Sequence, residues 1–250
     1  MKPRGLARRI LPVFYVLDTS GSMRGYAVEC LNSAMEETVR TLKNMAAHNG
    51  DVQIRIAVLS FDNEARWMDP GVPVDVEDFV WEPLTAELGN QTCMGAAVRE
   101  LNSKLSEDAF LCSLTGSLMP VIVFMTDGFA SDGYEAALED ALRNHLFRDA
   151  TRVGFAVGSS ADVKMIARLT GNSRAVVRAG DLDTFVSLIK LVSETATQAA
   201  SLSHVGDVGD RGGKAVEDAM IANDDEVTEW IASEDVHRGK VPIWDMNDPI

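Results

Sequence analysis

Cysteine and histidine are both scarce in this chain, at three and four residues among 250. Cys30, Cys93 and Cys112 include no close pair and no regular spacing, so a disulfide framework is not expected and a reduced, cytoplasmic setting fits. His48, His145, His204 and His237 are dispersed, without a His-x-x-x-His helix or a Cys–His spacing, which removes the usual zinc arrangements. Basic residues are also in deficit, 23 against 38 acidic ones, for a formal charge of −15 and a pI of about 4.6. Sequence-independent nucleic-acid binding needs lysine and arginine to neutralise phosphates, so no nucleic-acid partner is expected; cations and basic protein surfaces suit the chain better. No apolar run approaches the length that spans a bilayer, so no membrane association is expected. Also missing are a Gly-x-x-x-x-Gly-Lys-Ser/Thr phosphate loop and a Gly-x-Ser-x-Gly elbow, and with them the main support for nucleotide hydrolysis or serine acyl transfer. Trp67, Trp81, Trp230 and Trp244 are scattered, and the first two suit the covering of sheet edges better than base stacking.

The apolar runs that do occur are short and alternate with helical patterns, the signature of a parallel sheet with crossover helices on both faces. The pattern predicts strands at 11–17, 53–61, 120–126, 152–157 and 174–178, with a shorter extended piece at 65–69. Helices are predicted at 25–47, 93–106, 133–147, 161–170 and 181–197, and a Pro-rich, acidic loop runs through Glu82. The expected fold class is α/β, a three-layer, doubly wound, mostly parallel central sheet flanked by helices, as one domain over 1–198. In its last helix Leu182, Phe185, Val186, Ile189 and Val192 form one apolar stripe behind an Asp181 cap.

Residues 199–250 hold twelve acidic residues against four basic ones, about half of the net charge, and are expected to form a flexible or partly helical tail. Within it, Trp230-Ile231 and Val241-Pro242-Ile243-Trp244 offer docking pieces, and Asp245 or Asp248 a carboxylate; a solubilising extension is the plainer expectation. Lys2, Arg4, Arg8 and Arg9 ahead of Ile10 to Leu17 have the charge order of a signal peptide. No small-residue cleavage site follows, and cleavage there would remove a core strand.

Two of the predicted strands end in acid. Asp18-Thr19-Ser20-Gly21-Ser22 follows the run Leu11 to Leu17, and Thr126-Asp127-Gly128 follows Val121 to Met125. The carboxyl ends of parallel strands are where open α/β sheets bind ligands. Gly21 permits a tight turn that aims alternate side chains at one point above the sheet. A third loop, Asn90-Gln91-Thr92, precedes the helix at 93–106 and offers a threonine hydroxyl. Each piece alone has a plain explanation, since Asp, Ser and Thr are ordinary helix caps and Asp-Gly is an ordinary turn. Taken together, the carboxylates and hydroxyls suit one hard divalent cation. Mg²⁺ takes about six oxygens at roughly 2.0–2.1 Å and gives up its waters reluctantly; Mn²⁺ accepts the same geometry, and Ca²⁺ is the third candidate.

Asp18-x-Ser20-x-Ser22, Thr92 and Asp127, in that order and at those separations, resemble the metal-ion-dependent adhesion site of von Willebrand factor A domains. The resemblance covers about residues 10–197. It implies a cation at the top edge of the sheet, bound directly by Ser20 and Ser22, by Thr92 directly in one state and through water in another, and by Asp18 and Asp127 largely through water. It further implies a partner protein whose Asp or Glu carboxylate fills the last position, with closure of Thr92 coupled to a shift of the helix at 181–197. Within that family, Phe14 to Met23, then Gly25 and Val28-Glu29-x-Leu31-Asn32, is similar to the bacterial tellurium-resistance-associated branch, as are Phe185 to Ser193 and the hydroxyl-rich stretch after it. That branch usually carries a Gly-Gly-Thr turn where this chain has Asn90-Gln91-Thr92, and neither the insert Ser106 to Met119 nor the acidic tail has a counterpart. The resemblance implies a kinase, a phosphatase or a chaperone-type ATPase as partner, in a stress response.

The leading expectation is therefore a metal-dependent interaction module and not an enzyme. The competing one is an Mg²⁺-dependent aspartate-based phosphohydrolase with Asp18 as nucleophile. Such chemistry needs a second acid two residues on, and Ser20 there is a poor proton donor and acceptor near neutral pH.

Overall fold

A computed structural model describes residues 8–48, 52–106, 108–111, 117–157 and 161–179. The helix expected at 181–197 and the acidic tail at 199–250 lie outside the described residues. The described chain runs β1 (Arg9–Asp18), α1 (Tyr26–His48), β2 (Val52–Phe61), β3 (Ala65–Trp67), β4 (Val74–Asp75), α2 (Met94–Lys104), β5 (Val121–Thr126), α3 (Tyr134–Arg143), α4 (His145–Arg148), β6 (Thr151–Val157), α5 (Val163–Thr170) and β7 (Val176–Ala179). Short 3₁₀ turns occupy Gly21–Met23 and Ser173–Ala175.

Seven strands make one sheet in the order β3-β2-β1-β5-β6-β7, with β4 also paired to β2. The pairs β1–β2, β1–β5, β5–β6 and β6–β7 are parallel, and the short β3 and β4 run antiparallel to β2 at its edge. This is the mostly parallel, helix-flanked α/β sheet expected from the alternation of runs. Because β1 is buried on both faces, it reads as a continuous apolar run and not as an alternating one. Leu11, Val13, Tyr15 and Leu17 point into a core shared with the α1 residues Leu31, Met35 and Leu42. Phe14 and Val16 point into a second core with Met94 and Leu101 of α2, Leu138 of α3, Phe147 of α4 and Ile166 of α5.

The chain leaves β1 through α1 to β2 on one side and returns through α2 to β5 on the other. That reversal opens a crevice at the carboxyl ends of β1 and β5.

Two local features depart from the sequence pattern. The helix expected over 133–147 is broken at Asn144, whose extended backbone (φ −80°, ψ 116°) separates α3 from α4. Its side chain accounts for the break: Oδ1 accepts from the Leu146 amide at 3.0 Å, and Nδ2 donates to Asn102 and to the Leu105 carbonyl. The extended piece near 65–69 becomes β3, a turn with a cis Asp69-Pro70 bond, and β4. Trp67 on that edge packs against Phe14 and Phe110, and its Nε1 donates to Glu100 at 2.7 Å. Cys30 and Cys93 are buried and unbridged, while Cys112 lies outside the described residues. Among the described residues no helix is long and apolar enough to cross a membrane.

Candidate metal centre

Asp18 is the last residue of β1 and Thr126 the last of β5, and the parallel register that pairs Leu17 with Met125 sets the two side by side. Asp18 is fully buried, and both of its carboxylate oxygens are engaged. Oδ1 accepts from the Ser20 amide at 2.8 Å, closing a short turn of the kind aspartate favours, and Oδ2 accepts from the Thr126 hydroxyl at 2.5 Å. The turn aims the next hydroxyls upward: the Ser20 and Ser22 oxygens lie 3.1 Å apart, and Ser22 donates to Asp127 Oδ1 at 2.7 Å.

Thr92 arrives from a separate loop that is held at several points. Asn90 Nδ2 donates to Asp62 Oδ2 at 2.8 Å, Gln91 N to Asn63 Oδ1 at 2.8 Å, and Cys93 N to the Asp62 carbonyl at 2.9 Å. The same loop leans on the first one, with Gly21 N donating to the Asn90 carbonyl at 3.1 Å. A Cβ at Gly21 would stand 3.2 Å from both the Glu87 oxygen and the Gly89 nitrogen, a tight contact that would push the two loops slightly apart. At Gly128 a Cβ would lie 3.5 Å from the Thr92 hydroxyl and 3.7 Å from the Ser22 hydroxyl, which puts these two oxygens and Asp127 around one point. Asp18, Ser20, Ser22, Thr92 and Asp127 are thus brought together from three loops.

The alternative role of Thr92, as a helix cap, goes to another residue. Asp132, in the β5–α3 loop, accepts from the Gly95 and Ala96 amides at 2.8 and 2.9 Å and so caps α2 from 36 to 37 residues away. Ser131 N donates to the Thr92 carbonyl at 2.9 Å, fastening the Asp127 loop to the Thr92 loop. The sequence pattern names Thr126 in the Asp127 turn but gives it no role, and it shows neither the Asp132 cap nor the Asp62–Asn90 clamp. Only Thr126 had a local signal, as a hydroxyl ending a strand next to Asp127.

Burial is the chief reason that Asp18 is raised from 3.8 to about 6; the Ser20 and Thr126 hydrogen bonds act against it, and the neighbouring Asp127 adds to it. Asp127 is also raised, again mainly by burial and against its bond from Ser22. Among the described residues no cationic side chain pairs with Asp18. Two carboxylates that the fold holds in an unfavourable charge state, with three hydroxyls converging on the same point, fit a hard divalent cation. Soft metals would call for thiol or imidazole donors, and no group of three or more His, Cys, Asp or Glu side chains that could hold a metal is present among the described residues.

No protein-family model and no curated protein matches the chain. Solved structures do match. A von Willebrand factor type A protein from Catenulispora acidiphila is 16% identical over 77% of this chain and 43% of its own, with a TM-score of 0.56. Proximal thread matrix protein 1 of the mussel byssus, described as having a zinc-occupied adhesion motif, is 14% identical over 75% of this chain and 48% of its own, with a TM-score of 0.57. The von Willebrand domain of a type V pilus tip protein from Porphyromonas gingivalis is 11% identical over 81% of this chain and all of its own, with a TM-score of 0.57. The chain thus spans less than half the length of the first two. The fold is that of von Willebrand factor A domains.

Proposed function

We propose that the protein is a metal-dependent interaction module, in which a divalent cation held by Ser20, Ser22 and Thr92, with Asp18 and Asp127 behind them, captures a carboxylate of a partner protein. The observation that carries this reading is the convergence of three hydroxyls and two carboxylates, from three separate loops, at the switch point of the sheet. The cation supplies a Lewis-acidic site for an oxygen ligand. The protein's own groups do the positioning: Thr126 and the Ser20 amide fix Asp18, Ser22 fixes Asp127, and the Asp62–Asn90 clamp and Asp132 fix the Thr92 loop. Mg²⁺ suits this oxygen set best, with Mn²⁺ as an equivalent and Ca²⁺ as a larger alternative.

Catalysis by Asp18 is not part of the proposal. A nucleophile must reach its substrate, whereas this carboxylate is fully buried with both oxygens engaged, and Ser20 stands where a phosphohydrolase would need its acid. Turnover of a phosphate ester in Mg²⁺ that disappears in Asp18→Ala would reverse this assignment.

The setting we assign is cytoplasmic and bacterial, in a tellurium-resistance-associated stress system with a kinase, phosphatase or chaperone-type ATPase as partner. It rests on the segments Phe14 to Asn32 and Phe185 to Ser203. The test is a pull-down from native extract with wild type, Asp18→Ala and Thr92→Ala, in Mg²⁺ and in chelator. A partner held only by wild type with metal is the expected result; equal capture by all three would sink the module reading.

A further inference from the structure

Single apolar side chains on a protein surface are ordinary, but several around one polar centre mark an interaction surface. Six large apolar side chains are exposed among the described residues, and two of them belong to the loops that carry the metal centre: Leu88 at 73% exposure and Phe129 at 67%. Leu88 lies between Glu87 and Gly89, whose backbone atoms sit 3.2 Å from a Cβ on Gly21, the glycine between the two serine ligands. Phe129 follows Gly128, whose Cβ position is within 3.7 Å of both the Thr92 and the Ser22 hydroxyls. Tyr26, also exposed, opens α1 and bonds to Cys30 one turn along it, away from this pair. By contrast Met119, also exposed, precedes β5 at the other end of the sheet.

We infer that Leu88 and Phe129 form an apolar rim at the metal centre that selects a protein segment in which a lone carboxylate is flanked by large apolar side chains. The inference rests on the module reading above. The centre sets the first half of the specificity. Its two carboxylates are engaged behind the three hydroxyls, so the donors nearest a divalent cation there are neutral and leave it electrophilic toward an anionic oxygen, and the carboxylate is the anionic oxygen donor proteins carry. The rim sets the second half. Apolar contacts closing around a charged bond exclude water and strengthen it, as the near-neutral ring around an interface hot spot does. A segment with several acids would meet the chain's charge of −15, which disfavours acidic stretches and favours one acid in an apolar context.

The test pans a phage-displayed library of random peptides on the full chain in Mg²⁺, with elution by EDTA, and measures synthetic copies of the selected peptides by calorimetry. The expected result is enrichment of Asp or Glu next to Leu, Ile, Phe, Trp or Met, with affinity about tenfold lower for Leu88→Ser and for Phe129→Ser. Mn²⁺ affinity of these two variants, measured without peptide, should equal that of wild type, which separates a lost rim from a damaged centre. EDTA-eluted peptides with an acid but no apolar neighbour, or unchanged peptide affinity in both variants, would overturn the rim and leave the module standing. Enriched peptides that bind equally well to Asp18→Ala in EDTA would overturn the module itself, and the rim with it.

Discussion

Asp18 is the residue in which fold and site conflict most directly. Its carboxyl is raised from 3.8 to about 6 because the fold buries it. In the metal-free protein its contribution to stability is therefore complete below about pH 4 and is lost as the pH rises through 6, a loss of up to about 3 kcal/mol at pH 7. Asp18→Asn abolishes the ionisation and keeps the shape. In EDTA at pH 7, urea unfolding should find this variant about 1–3 kcal/mol more stable than wild type, with the difference gone near pH 4; a less stable variant at pH 7 would show that the fold compensates the charge. In the proposed function a bound cation would reverse the order, since it would stabilise the carboxylate that burial penalises. Mn²⁺ affinity of the wild type should accordingly weaken as the pH falls through 6, where protons compete for Asp18, and an affinity flat from pH 7 to pH 5 would speak against it.

Between elements, the site depends on contacts far apart in sequence. Asp132 caps α2 through the Gly95 and Ala96 amides, and its neighbour Ser131 holds the Thr92 loop against the Asp127 loop. Asp132→Ala leaves two amides at the start of α2 without their acceptor and should cost about 1–2 kcal/mol by urea unfolding. Because the start of α2 directly after Thr92 then loses one of its anchors, Mn²⁺ affinity should fall as well, and a variant that loses stability but keeps its affinity would reduce Asp132 to a plain cap. Gly154 in β6 illustrates packing between elements on its own: a Cβ there would fall 2.1 Å from Ile166 Cγ2 of α5. Gly154→Ala should destabilise the protein by about 1–3 kcal/mol through forced displacement of α5, measured by the urea midpoint in metal.

For the whole molecule, the proposed ion site would link stability to the cation. A ligand at a hundred times its dissociation constant adds about 2.7 kcal/mol to any fold that binds it only when native. Thermal unfolding should therefore rise with Mg²⁺ in wild type and stay level in a Ser20→Ala, Ser22→Ala double variant; equal responses would place the ion elsewhere.

Much of this architecture was legible in the chain. The runs Leu11 to Leu17 and Val121 to Met125 announced buried parallel strands, and Gly21 and the hydroxyls after Asp18 announced a tight turn that gathers those hydroxyls. The break at Asn144 and the edge strand Val74–Asp75 were not legible. A single asparagine leaves a helical pattern intact until Asn102 and Leu105 are there to bind it, and a two-residue strand has no period of its own.

Local chemistry, then, was fixed by the sequence alone: apolar periodicity chose strands and helices, and turn residues set the spacing of Asp18, Ser20 and Ser22. Tertiary structure decided which loops meet. The β1–β5 register places Thr126 on Asp18, and the cap from Asp132 leaves the Thr92 hydroxyl to the centre. Those decisions depend on pairing residues 36 to 108 positions apart, and such pairings follow from packing the two faces of the sheet, which no local pattern encodes.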